Sequence, residues 1–129
     1  MTSNPSSSLP VPDTPATLVR LGSVVVCALA GDLTLDNERQ VRRTLHRAVL
    51  QTDELVAVDC SNVTLFTASA LNALLAARSR AVERDVALVL AAPRPHVLAV
   101  LEATDTAEAL PLYLTLEHAV AHAGAAPSA

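Results

Sequence analysis

Residues 59–75 read DCSNVTLFTASALNALL, and this stretch decides the fold. The apolar run Leu55–Asp59 predicts a short buried strand, and the leucine spacing further on predicts a helix that begins near Thr67 or Ala68. A short connection joins the two. Small hydroxyl residues therefore lie at a helix N-terminus, at the carboxyl edge of a sheet. Ordinary capping, with Thr67 as N-cap and Ser69 in the first turn, is the simpler interpretation of these residues taken alone.

Strands and helices alternate on both sides of this stretch, in the order β-β-α-β-α-β-α-β-α. The predicted strands are Thr17–Leu21, Ser23–Ala30, Leu55–Asp59, Val86–Ala91 and Leu110–Leu114, and the predicted helices are Asp36–Gln51, Ala68–Arg84, Pro95–Ala103 and Leu116–Ala123. Continuous apolar strands must be covered by helices on both faces. The order therefore predicts an α/β domain with a mixed, mostly parallel sheet, whose first strand is antiparallel and lies at or near an edge.

The spacing of apolar residues also predicts which side of two helices faces the sheet. For the helix after the first two strands, the inner residues are expected to be Val41, Leu45, Ala48 and Val49. For the helix after the next strand, the inner stripe is expected to be Leu71, Leu74, Leu75 and Val82.

The composition is that of one packed domain with an aliphatic core. The chain has 129 residues, of which 51% are hydrophobic and 2% aromatic, and this balance excludes a disordered chain. The domain is expected to span residues 16–123. A flexible, Ser/Pro-rich leader at residues 1–15 and a short tail at residues 124–129 are expected to flank it.

The charge balance argues against binding to nucleic acid. The formal net charge is −4 and the pI is about 5.4, whereas such proteins normally carry a basic patch and aromatic residues for stacking. All nine basic residues are arginines. There is no secretory signal pattern and no apolar run near the ~20 residues that span a bilayer. We therefore expect a cytoplasmic protein without membrane insertion.

No motif for catalysis or for holding a cofactor is recognisable in the sequence. Only Gly22, Gly31 and Gly124 are available, so no glycine-rich phosphate loop can form. No G-x-S-x-G motif surrounds the serine of TASAL, and no pair of acidic residues is recognisable as a general acid and base. We expect a protein that is not an enzyme and uses no cofactor.

Histidines and cysteines suggest two further hypotheses. His118 and His122 stand four residues apart and could share a metal ion, although a solvated pair near a helix C-terminus is the simpler interpretation. Cys27 and Cys60 are expected to be buried, reduced thiols. A redox pair formed by these two cysteines is the alternative.

The segment that decides the fold resembles the STAS family, the domain of anti-sigma factor antagonists. Members read D-L-S-x-V-x-F-hydrophobic-D-S-[ST]-G-[LIV] at this point, and an upstream motif reads G-E-hydrophobic-D. At the positions of the first motif this chain has Asp59, Cys60, Ser61, Val63, Leu65, Phe66, Ser69 and Leu71. At the positions of the upstream motif it has Gly31, Asp32, Leu33 and Thr34. The resemblance covers about residues 17–123, and it implies the family's single-domain STAS-like fold.

The resemblance also implies a function and a site. Members bind a kinase-type anti-sigma factor, a histidine-kinase-like ATPase, and phosphorylation of one serine switches that binding off. The phosphoacceptor position maps onto Ser69, and the implied partner-binding residues are Asp32, Thr34, Thr67, Ala68, Ser69, Ala70 and Asn72.

This chain departs from the family motif at several positions. Thr34 and Thr67 replace aspartates, Ala68 replaces the first serine, and Ala70 replaces the glycine. A non-phosphorylated adaptor or scaffold subunit, in a stressosome-like assembly or beside a lipid ABC transporter, is therefore the alternative function. Small-ligand sensing is a minor option because no cationic pocket is recognisable. The protein is expected to be a monomer or a weak dimer.

Overall fold

A computed structural model describes residues 14–125, with side chains described as far as Ala121. The five strands are β1 (Ala16–Leu21), β2 (Val24–Leu33), β3 (Leu55–Phe66), β4 (Ala87–Ala91) and β5 (Leu112–Tyr113). The four α-helices are α1 (Glu38–Leu50), α2 (Ala68–Glu83), α3 (Pro95–Ala103) and α4 (Leu116–Ala125). Most of the predicted leader and the last four residues of the predicted tail lie outside the described residues.

The strands form one five-stranded sheet in the order β1-β2-β3-β4-β5. β1 pairs antiparallel with β2, and every other pairing is parallel. The predicted α/β class, the mixed sheet and the antiparallel edge strand are thus confirmed. The β1–β2 hairpin turns at Gly22, whose φ of +64° is a conformation that glycine adopts without steric cost.

β3 is longer than the predicted strand at Leu55–Asp59. It pairs with β4 only over Leu55–Asp59, but its pairing with β2 continues to the Leu33–Phe66 pair. The prediction of a loop was wrong because polar residues interrupt the apolar pattern there, while the backbone still hydrogen-bonds to β2. β2 and β3 therefore project beyond the sheet as a two-stranded ribbon, made of residues 30–33 and 62–66.

Both faces of the sheet are buried, as the apolar strands predict. Alternate residues of β2, such as Val25 and Cys27, contribute to a large core with α1, α2 and α3. The intervening residues, such as Val24 and Val26, contribute to a smaller core that includes Ala119 of α4. This alternation is the period of two that a strand imposes on its side chains.

The inner stripe of α1 is confirmed, whereas that of α2 differs in part from the prediction. Leu71 and Leu74 are buried and Leu75 is partly buried against the core, but Val82 is 58% exposed. Alanines take up most of the buried side of α2: Ala70, Ala73, Ala77 and Ala81. Small side chains allow α2 to lie close to its neighbours, and apolar spacing that counts only large residues misplaces its inner face.

Smaller differences concern the element ends. A 3-10 turn at Leu35–Asn37 precedes α1, so the α-helix begins two residues later than predicted. β5 comprises only Leu112–Tyr113, and α4 continues through Ala125. α3 spans Pro95–Ala103 as predicted, with its proline at the helix start.

Candidate functional site

The candidate site lies at the carboxyl end of the ribbon formed by β2 and β3. Because Leu33 and Phe66 are paired at the strand ends, the residues that follow them, Thr34 and Thr67, leave the sheet side by side. The Thr67 hydroxyl Oγ1 donates a hydrogen bond of 2.7 Å to the carbonyl oxygen of Leu33. This bond ties the start of α2 to the end of β2 and joins the two motifs that the sequence places more than thirty residues apart.

The turn from β2 to α1 is held by a capping box. The Asp36 N–H donates to Thr34 Oγ1 at 3.3 Å, and the Thr34 N–H donates to Asn37 Oδ1 at 2.9 Å. The Asn37 amide Nδ2 also donates to the carbonyl oxygen of Asp32 at 2.9 Å. Thr34 therefore stabilises the turn before α1, and a hydroxyl side chain is well suited to this capping role.

Asp32 ties the two strands of the ribbon together. The Thr64 hydroxyl donates to Asp32 Oδ1 at 2.6 Å, a charge-assisted hydrogen bond between exposed side chains. Gly31, which precedes Asp32, has φ +81° at a shift in the β2–β3 register. A conformation of this kind favours glycine, which explains why the upstream motif begins with that residue.

The N-terminus of α2 carries no side-chain cap. Thr67 occupies the N-cap position, as predicted, but its hydroxyl bonds to Leu33 and makes no capping bond to its own helix. The first turn also contains no acidic residue. The first backbone N–H groups of a helix have no partner within the helix, and the helix dipole places positive potential there. This end of α2 is therefore suited to an anion.

Ser69 lies in that first turn, half-buried, and its side chain makes no hydrogen bond within residues 14–125. Ala68 and Asn72 are exposed beside it. Ala70 is only 3% exposed and belongs to the large core, so its side chain is not on the surface that a partner could contact. Of the predicted site residues, Ala70 alone has its side chain in the core.

Two exposed leucines at the same end of the molecule were missed at the sequence level. Leu35, which follows Thr34, is 75% exposed, and Leu65, which pairs with Asp32, is 44% exposed. Both look like ordinary core residues in the sequence, since exposure depends on the ribbon that carries them away from the sheet. Exposed aliphatic side chains beside a polar centre are typical of protein-binding surfaces.

The histidine and metal hypotheses find little support in the geometry. The rings of His118 and Tyr113 lie edge to face with centroids 5.5 Å apart, and the side chain of His122 lies outside the described residues. Among the residues that the structure describes, no three His, Cys, Asp or Glu side chains form a group that could hold a metal ion. No helix within residues 14–125 combines the length and apolar character needed to cross a bilayer.

Cys27 and Cys60 are both buried and free, as the simpler interpretation expects. Burial raises the pKa of each thiol to about 12; for Cys60, the neighbouring Asp59 carboxylate and Cys27 add to the effect. A thiol with so high a pKa stays protonated at neutral pH and is a poor nucleophile. The redox alternative is thereby disfavoured.

The fold is shared with a known family of proteins. The family model described as the STAS domain matches residues 16–119. The chain belongs to the STAS family. No curated protein matches it in sequence.

Solved structures of STAS-like proteins share the fold at low sequence identity. An anti-sigma-factor antagonist (STAS) domain protein from Planctomyces limnophilus is 21% identical, with a TM-score of 0.78 over 85% of this chain and 98% of that one. The Bacillus cell fate determinant SpoIIAA in its phosphorylated form is 16% identical, with a TM-score of 0.66 over 83% and 97%. The murine anion transporter Solute Carrier 26 family member A9 is 15% identical, with a TM-score of 0.71 over 84% of this chain and 19% of the transporter.

Proposed function

We propose that this STAS protein is an anti-sigma factor antagonist that acts in the cytoplasm by binding a kinase-type anti-sigma factor, and not by catalysis. The observation that carries the proposal is the carboxyl end of the ribbon, where Thr34, Thr67 and Ser69 converge beside the exposed Leu35 and Leu65. The surface combines exposed aliphatic side chains with small hydroxyls and has no acid–base pair. It is suited to contact with a protein.

Phosphorylation of Ser69 would act on this surface by charge. A phosphate adds about −1.5 to −2 charges at neutral pH, and the uncapped N-terminus of α2 can accommodate it without unfolding the helix. The side chain of Ser69 makes no hydrogen bond within the described residues that modification would break. The fold would stay intact while the surface presented to the partner becomes more negative. Bacillus SpoIIAA, which shares this fold, has a solved structure in its phosphorylated form.

Threonines stand where the family motifs have two aspartates, and this replacement affects how a phosphate on Ser69 would be accommodated. Thr34 and Thr67 have structural hydrogen bonds, and their neutral side chains leave the α2 N-terminus without a competing carboxylate from either position. An added phosphate would therefore meet less repulsion than beside two aspartates. A kinase that uses those carboxylates to orient the serine would in turn act more slowly on Ser69.

The test is affinity capture from the native host with four forms of the full chain: wild type, Ser69→Ala, Ser69→Asp and Ser79→Asp. Ser79 is exposed on the same helix, so Ser79→Asp controls for added charge outside the site. Wild type, Ser69→Ala and Ser79→Asp are expected to capture a histidine-kinase-like ATPase. Ser69→Asp should capture about tenfold less, because docking would take the added carboxylate out of water.

Failure of both wild type and Ser69→Ala to capture such an ATPase would overturn the antagonist proposal. Equal capture by Ser69→Ala and Ser69→Asp would reject the switch and leave the partner in place. Intact-mass spectrometry of protein from the native host, with and without phosphatase, measures directly whether a phosphate is present.

A non-phosphorylated adaptor or scaffold subunit is the second candidate. It is favoured by the fold shared with a segment of a murine anion transporter and by the loss of both motif aspartates at Thr34 and Thr67. Capture of membrane permease and ATPase components, with equal yield from all four forms, would support this function against the first.

A further inference from the structure

Charge is distributed unevenly over the molecule. α1, α2 and Arg84, which caps α2, contain seven of the nine arginines and only two of the thirteen acidic residues. These two helices carry a formal charge of +5, so the remaining residues carry −9 within a net charge of −4. The overall acidity of the chain therefore conceals a basic layer, which the sequence-level argument from net charge did not recognise.

Six of these seven arginines are exposed. The seventh, Arg78, is half-buried and donates from Nε to the carbonyl oxygen of Ala109 at 2.8 Å, so it has a structural role. We call the exposed six the arginine face: Arg39, Arg42, Arg43, Arg47, Arg80 and Arg84.

The arginine face is poorly neutralised by the protein itself. Within residues 14–125 the only ion pair is that of Arg42 with Glu38, at 2.5 Å on the surface of α1. Arg39 and Arg43 are four residues apart, as are Arg80 and Arg84, and like charges at this spacing repel each other on a helix. An anionic partner would relieve that repulsion, so the arginine face should attract one electrostatically.

A cavity of about 100 Å³ lies between α1 and α2, within the arginine face. It is lined by Arg42 and His46 of α1 and by Arg80, Ala76 and Ala77 of α2. The two alanines leave room that longer side chains would fill. Arg80 can bind a carboxylate through two N–H donors, and Arg42, which donates to Glu38 from Nη2 alone, has further N–H donors.

We propose that the arginine face docks an acidic protein surface, with one of its carboxylates held between Arg42 and Arg80. Leu50 and Val82, which are 52% and 58% exposed, leave apolar surface near the ends of the same helices, and protein interfaces combine apolar surface with arginine. The remaining residues carry −9, and this charge would repel a polyanion large enough to reach them, such as a long duplex or an anionic membrane surface. A partner protein can confine its contact to the two helices.

The arginine face adjoins the surface proposed for the anti-sigma factor, because Arg39 and Arg42 line a cavity together with Leu35. The carboxylate site between Arg42 and Arg80 is lined by none of the residues of the Ser69 site, and it does not rest on the proposed function. The test measures binding of a fluorescein-labelled decaglutamate peptide to the full chain by fluorescence anisotropy, at low and at physiological salt. The variants are Arg42→Gln/Arg80→Gln and, as a control with the same net charge, Arg20→Gln/Arg94→Gln outside the two helices. The first pair should weaken binding about tenfold and the control less than about twofold, because only the first removes the carboxylate site.

Equal weakening by both pairs would overturn the proposal, since net charge alone would then explain binding. Tighter binding to a DNA duplex or to phosphatidylglycerol vesicles than to decaglutamate would overturn it as well. Circular dichroism checks that the variants are folded. Should the double variant not fold, Arg80→Gln against Arg20→Gln makes the same comparison, because the Arg80 side chain has no bonding partner among the described residues.

Discussion

At the scale of single residues, Thr67 shows how one side chain can connect two distant motifs. Its position identifies the start of α2 in the sequence, and the structure confirms it as N-cap. The partner of its hydroxyl could not be predicted, because the Leu33 carbonyl belongs to a strand thirty-four residues earlier and meets Thr67 only once β2 and β3 pair. Local sequence therefore predicts where a helix begins better than it predicts which bonds hold that beginning in place.

Thr67→Val tests the contribution of this bond to stability. Valine keeps the shape of threonine but removes the donor, so the Leu33 carbonyl loses its 2.7 Å partner. The free energy of unfolding should fall by about 1 kcal/mol in urea denaturation. Thr17→Val, at an exposed position of β1, is the matched control and should leave stability within about 0.5 kcal/mol. A loss no larger than in the control would show that the bond contributes nothing.

At the scale of secondary-structure elements, the accuracy of the sequence prediction follows the strength of the local pattern. α3 has exact predicted bounds because a proline starts it and apolar spacing runs through it. β3 was predicted too short because its last residues are stabilised by pairing with β2, a contact that is not encoded locally. The inner face of α2 was partly misplaced because alanine counts little in apolar spacing, although four alanines are buried there.

A pair of substitutions in α2 distinguishes the observed inner face from the predicted one. Ala73→Leu adds bulk at a position that is fully buried in the large core and should cost about 1–3 kcal/mol through overpacking. Val82→Ser, at a position that is 58% exposed, should change the free energy of unfolding by no more than about 0.5 kcal/mol. Urea denaturation measures both. A larger loss from Val82→Ser than from Ala73→Leu would contradict this orientation of the helix.

At the scale of the whole molecule, the class and order of the sheet were predictable because apolar strands that alternate with helices allow few arrangements. The segregation of charge was not, because it depends on which two helices become neighbours. The candidate site was predictable only in part. The motif frame identifies Ser69, whereas the exposed Leu35 and Leu65 emerge only from the three-dimensional arrangement.

The buried thiols make the free energy of unfolding fall as the pH rises in the alkaline range. Cys27 and Cys60 both belong to the large core, and burial raises the pKa of each from 9.0 to about 12. The folded state therefore binds more protons than the unfolded state between these values. The contribution of these thiols to stability is fully present below pH 9 and is lost as the pH rises through 12, by on the order of 1 kcal/mol per thiol for each pH unit.

Urea denaturation at pH 8 and pH 10 measures this dependence. Wild type should lose stability between the two, and the loss should be smaller in Cys27→Ala and in Cys60→Ala, whatever their stability at pH 8. An identical loss in wild type and both variants would mean that other groups are responsible.

The two-stranded ribbon gives the two halves of β3 different kinds of support. Residues 55–59 of β3 are flanked by strands on both sides, whereas residues 62–66 are bonded to β2 alone. Residues 62–66 are held instead by the side chains of Val63 and Phe66, which belong to the large core. Amide hydrogen exchange reports opening segment by segment, and it should be at least as fast in residues 62–66, which pair with one strand, as in residues 55–59, which pair with two.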